Sequence, residues 1–95
     1  MTQRRTMQEM RTTLAPAEVL AAAKEFFSRR INIYAAFPEQ ESAAHLTLRG
    51  QGGEEIVIGA IPRDGATLVT GASYMFDAQV SRFLATLPRA AEVLA

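Results

Sequence analysis

The chain has 95 residues, ten basic against ten acidic side chains, one histidine and no cysteine. This length allows one domain, which buries only roughly 60–65% of its unfolded surface, so its stability is marginal without a partner. At 48% hydrophobic and 21% charged the chain is too apolar for disorder. Zero net charge argues against nucleic-acid binding by bulk electrostatics. The missing cysteines exclude disulfides and thiolate metal sites.

Residues 1–13 are polar and lightly basic. They read as a solvated tail, as an arm that docks on a partner through Arg4 and Arg5, or as an edge strand. In the strand reading Thr6, Gln8, Met10, Thr12 and Leu14 alternate with Met7, Glu9, Arg11 and Thr13. No apolar core follows the arginines, so a secretory signal is not expected and a cytoplasmic protein is. No run of about 18 apolar residues suggests a membrane span. Peripheral association with a membrane complex stays open.

Pro16 to Arg30 predicts a helix. Proline suits its first position, alanines 21–23 favour it, and Val19, Leu20, Ala23, Phe26 and Phe27 form one apolar stripe. Residues 31–37 switch to period two. Ile31, Ile33, Ala35 and Phe37 are expected inward, with Asn32, Tyr34 and Ala36 outward, before a turn at Pro38-Glu39-Gln40-Glu41. Residues 43–49 predict a second strand with Ala44, Leu46 and Leu48 inward and His45, Thr47 and Arg49 outward. A glycine-rich hairpin loop over residues 50–53 leads to a third strand, 54–61, with Ile56, Ile58 and Ala60 inward. No helix start or Lys-Ser/Thr pair follows those glycines, so they do not form a phosphate cradle.

Pro62-Arg63-Asp64-Gly65 predicts a turn. In the strand 66–70 that follows, Ala66 and Leu68 are expected inward, Thr67 and Val69 outward. Ser73 then caps a helix to Leu87, striped by Phe76, Val80, Phe83, Leu84 and Leu87, and Pro88 ends it. Residues 89–95 are a short alanine-rich tail.

The expected fold class is α+β: a two-layer sandwich, with a four-stranded antiparallel meander under two helices on one face. Residues 1–13 supply an arm or a fifth strand, 14–88 the domain, and 89–95 a tail. The other sheet face is left open. It is expected to show Tyr34, His45, Arg49, Val57, Ile61 and Val69, more apolar than a solvated face requires.

The stretch Leu14-Ala15-Pro16-Ala17-Glu18-Val19 resembles the strand-to-helix entry of the START/Bet v1-like superfamily. The order strand, helix, four strands, helix is similar to the broader TBP-like fold. This resemblance, reduced in size, implies an apolar ligand between the sheet and the first helix, near Phe26, Phe27, Tyr34 and Phe76. Binding of DNA to the sheet face is not expected, since Glu55 offsets Arg49.

His45 has no sequence neighbour that marks it as a general base. The pairs Glu39/Glu41 and Glu54/Glu55 lack the spaced oxygens of a cation loop. No catalytic, cofactor-binding or metal residue is expected, and no cofactor. The leading expectation is a non-catalytic accessory subunit. It would dock on another protein, or on a second copy of itself, through the open sheet face and the N-terminal arm. The alternative is the small START-like carrier.

Overall fold

The computed structural model describes residues 6–29 and 35–90. Their elements run β1 (Thr6–Thr12), α1 (Pro16–Ser28), β2 (Ala36–Glu41), β3 (His45–Gly50), β4 (Glu55–Arg63), β5 (Ala66–Ser73) and α2 (Asp77–Thr86). The five strands form one antiparallel sheet in the order β1-β5-β4-β3-β2. This is a small α+β domain.

Residues Thr6–Thr12 are therefore an edge strand of the sheet rather than a solvated tail. Their register follows the predicted alternation: Met10 opposes Val69 and Thr12 opposes Thr67. The strand is anchored at its far end. The Thr12 hydroxyl donates to the Pro88 carbonyl, Thr13 N–H donates to the same oxygen, and Ala90 N–H donates to Arg11 O. Thr12 is fully buried, so these bonds satisfy a hydroxyl that would otherwise be costly to desolvate.

α1 starts as its sequence dictates, with Pro16 at the first position. Glu18 reaches back to accept from Ala15 N–H at 2.8 Å. That is half of a capping box, since Ala15 has no side-chain acceptor to complete it. The helix ends two residues before the predicted Arg30. α2 starts later than predicted. Ser73 is the last residue of β5, not a helix cap, and its hydroxyl donates to Asp77 Oδ1 at 2.7 Å. Phe76 occupies the cap position.

Both helices close on one sheet face. Val19, Leu20, Ala23 and Phe27 of α1 join Val80, Phe83 and Leu84 of α2 in one cluster with Leu46, Leu48, Ile56, Ile58, Ala60 and Val69. α1 lies over β2, β3 and β4, and α2 over β5 and β1. Phe26, Phe27 and Phe83 pack with ring centroids 5.1–5.5 Å apart in tilted and edge-on arrangements, the favoured aromatic geometries. At Gly71 a Cβ would stand 2.6 Å from Val80 Cγ1, so α2 rests directly on the β5 backbone.

Two strand expectations are corrected. The first concerns β5. Thr67 and Val69 point into the core, and Ala66 and Leu68 point away. The cause is the turn: Asp64 and Gly65 both have positive φ, 52° and 78°, and Arg63 opposes Ala66 directly. This is a two-residue hairpin loop of the Asp-Gly type, not a four-residue turn beginning at Pro62. Pro62 is a strand residue opposite Thr67. It lies beyond the last β3 pair, His45 with Gly59, where a missing N–H deprives no neighbour. Thr67 is buried because its hydroxyl has a partner, Leu14 O at 2.6 Å.

The second correction concerns β2. The predicted turn Pro38-Glu39-Gln40-Glu41 is strand, and the register shifts between Pro38 and Gln40. The chain turns instead at Ser42, whose hydroxyl accepts from Ala44 N–H at 3.3 Å and His45 N–H at 3.1 Å. Phe37, expected inward, opposes Arg49 on the open face, while Ala36 is buried. Ile31, Asn32, Ile33 and Tyr34 lie outside the described residues.

The corrected register has a measurable signature. Val69→Ala is expected to cost about 2 kcal/mol. Leu68→Ala, on the other face, should cost less than about 1 kcal/mol. Gly71→Ala is expected to cost about 1–3 kcal/mol by pushing α2 off β5. Urea unfolding of the three variants checks the order.

Candidate functional site

The sheet face turned away from the helices is built from alternate residues of all five strands. The strand registers arrange it in rows. At one end Tyr74, Glu55, Arg49 and Phe37 lie side by side. The next row is Met7, Ala72, Val57, Thr47 and Gln40, followed by Glu9, Thr70, Gly59 and His45, and then Arg11, Leu68 and Ile61. Arg63 and Ala66 close the far end.

Several large apolar side chains stand in water on this face. Met7 is 63% exposed, Phe37 51%, Tyr74 39% and Ile61 37%. Val57 and Leu68 are half-buried between them. Singly, such residues are ordinary. Six on one side of one sheet make it more apolar than a solvated face requires, with Arg49 and Glu55 setting Phe37 apart from the rest.

The arginines sit toward the two ends, and Glu9, Gln40, His45, Thr47 and Thr70 lie between them. Arg49 is a hub. Its Nε and Nη2 donate to Glu39 Oε2 and Oε1 at 3.3 and 2.9 Å, a two-pronged grip, and its Nη1 donates to Gly53 O at 3.2 Å. Glu55 Oε2 lies 3.5 Å from Nη2. The hydrogen bonds from Arg49 hold the Glu39 carboxyl below the ordinary glutamate range, and Glu39 in turn raises the Arg49 guanidinium. The pair is exposed, so it orients side chains more than it stabilises the fold. At the other end Arg11 reaches across β5, and its Nη2 donates to the carbonyls of Arg63 and Asp64 at 3.4 and 3.2 Å.

His45 is exposed and lies flat against the strand next to it. Gly59 opposes it in β4, and a Cβ there would stand 3.4 Å from the imidazole and 2.6 Å from the Thr70 hydroxyl. Among the described residues no carboxylate orients this imidazole. The hollow beside it, lined by Gln40, Glu41, Ser42, His45 and Thr47, has a volume of about 110 Å3. A second groove, between β1 and α2, has about 220 Å3. Both fall below the range of small-molecule pockets, about 300–1,000 Å3. Among the described residues no three histidine, aspartate or glutamate side chains converge as metal ligands. Of the residues named for a carried ligand, Phe26 and Phe27 pack with Phe83, Phe76 is buried, and Tyr34 lies outside the described residues.

The residues expected on this face thus divide. His45, Arg49, Val57 and Ile61 are there, together. Val69 is not: it is fully buried in the core, by the parity that the Asp64-Gly65 turn imposes. Arg4, Arg5 and Tyr34 lie outside the described residues. Sequence reasoning missed Phe37, Tyr74 and Leu68 as face residues. Only the register of β2 and β5 assigns them, and hairpin parity in β5 follows from Asp64-Gly65.

The Arg49 grip predicts a pH effect of definite sign. A carboxylate lowered in the folded state adds stability above its unfolded pKa, about 4.3. That contribution is lost as pH falls through the lowered folded value. Arg49→Leu is expected to move the Glu39 midpoint upward in an NMR titration. The variant should also lose less stability than the wild type between neutral and acid pH.

Compared with protein-family models, with curated proteins and with solved structures, the chain matches none.

Proposed function

We infer that this protein is a non-catalytic binding module that docks on another protein chain through its open sheet face. One observation carries the reading: Met7, Phe37, Ile61 and Tyr74 stand exposed on the side of the sheet that neither helix covers. Burying them removes apolar surface from water at about 25 cal/mol per Å2, a gain the isolated domain forgoes. The charged groups at the two ends give such a contact a polar rim, as interfaces have.

The small size fits an accessory subunit, since a domain of this length has a small core of its own. Docking by the N-terminal arm, with Arg4 and Arg5, belongs to the same proposal. No helix among the described residues is long and apolar enough to cross a membrane.

The test is capture from a lysate of the source cells, with tagged wild type, Phe37→Ser and Ile61→Asp. Both substitutions are at exposed positions, so the fold is retained, as circular dichroism would verify. A co-purifying protein should be lost from both variants. It should be kept by Glu25→Lys, on the solvent side of α1. Equal recovery on all four baits overturns the reading.

A further inference from the structure

The central strand carries a self-complementary pattern on the open face. β4 is third of the five strands, and its outward residues are Glu55, Val57, Gly59, Ile61 and Arg63. In order they are acid, apolar, glycine, apolar, base. A two-fold axis through Gly59, lying between two facing sheets and running across the strands, brings each residue opposite its complement. Glu55 meets Arg63 of the copy, Val57 meets Ile61, and the two glycines meet at the centre. We propose that the open face pairs with a second copy of this chain about this axis. The proposal rests on the docking reading above and names its partner.

The neighbouring strands agree. Thr70 of β5 lies beside Gly59 on the axis row, so Ala72 of one copy meets Leu68 of the other, small against large. On β1, Met7 meets the alkyl stem of Arg11. The charge is unequal at the two ends of the face. Arg49 serves two carboxylates, Glu39 and Glu55, at one end. Arg11 and Arg63 stand at the other, and among the described residues neither pairs with a carboxylate; Arg11 Nε has no acceptor there. The two-fold brings Arg63 of each copy to Glu55 of its mate, while Glu39 and Arg49, on β2 and β3, lie beyond the strands that the axis superposes. Glu9, on the axis row at the β1 rim, approaches its own copy. Its exposure to water and the mate's Arg11, two residues along, offset that repulsion.

The dimensions allow it. Stacked sheets lie about 10 Å apart with strands inclined by roughly 30°. Glu55 and Arg63 are each four residues from Gly59, about 13 Å. The inclination displaces their partners by about 7 Å, within the combined reach of a glutamate and an arginine. β1, β5 and β4 run on both sides of the axis row, and at about 4.8 Å spacing and about 25 Å length they face their counterparts over about 360 Å2 in projection. This is below the roughly 800 Å2 per partner of a standard interface, so the pairing is of the weak, concentration-dependent kind.

The experiment is sedimentation or light scattering of the purified full chain, from about 1 to 100 µM, with native mass spectrometry of mixtures. The wild type is expected to dimerise. Arg63→Glu and Glu55→Lys should each weaken the dimer at least about tenfold, because each sets like charges face to face. Mixed together they should form a heterodimer, since both pairs between positions 55 and 63 are then opposite in sign. Should Glu55→Lys disturb the Arg49 cluster and fail to fold, Ile61→Asp replaces it and is expected to be monomeric. A wild type that stays monomeric at about 100 µM overturns the pairing while leaving the capture experiment to judge the wider reading. A dimer that neither charge reversal weakens, or variants that do not recombine, overturns it as well.

Discussion

Two residues of positive φ, Asp64 and Gly65, govern most of this structure. Their hairpin loop sets Arg63 opposite Ala66, and so decides which side of β5 is core. Side chains alternate with a period of two, so a slip of one residue would exchange every inward side chain of β5 for its neighbour. Val69 would leave the cluster and Leu68 would enter it. β1 takes its register from β5, and α2 rests on β5 at Gly71. The turn therefore positions the edge strand and the closing helix as well as its own hairpin.

The same alternation produces the open face. One side of the sheet is sealed by aromatic and aliphatic packing against two helices, and the other takes what parity leaves. In β4 that remainder is ordered, with an acid and a base at its ends and branched apolar residues about a glycine. The Arg49–Glu39 pair adds little to folding, since both side chains are largely exposed. The structural effect of the Arg49 network is to pin three charged side chains at one end of the face. Arg11 does the same at the other end through the carbonyls of the β4–β5 turn.

Much of the architecture was legible in the residues. The α1 stripe, the inward Leu46, Leu48, Ile56 and Ile58, and the alternation of β1 all follow from period and composition. The misplacements have physical causes. Proline and three polar residues at 38–41 carry the composition of a turn, yet an edge strand tolerates proline where its N–H side faces away from the ladder. The true turn relies on one serine hydroxyl taking two backbone donors, a signal too small to outweigh Pro38. Ser73 has the chemistry of a helix cap, but three further residues, including Met75 at positive φ, intervene before α2 begins. The face was harder to read than the core, because exposed positions carry no hydrophobic period of their own. Its membership became visible only when the registers of β2 and β5 were fixed.

The shift in β2 has a consequence for how copies of this protein can accumulate. One lateral margin of the sheet carries Pro38, an irregular ladder and the carboxylates of Glu39 and Glu41. The other is partly occupied by the Pro88–Ala90 stretch. Growth strand upon strand, the route to fibres, is obstructed along β2 and at the Arg11–Thr13 end of β1. Under the proposed pairing, contact through the flat side closes at two copies and does not propagate.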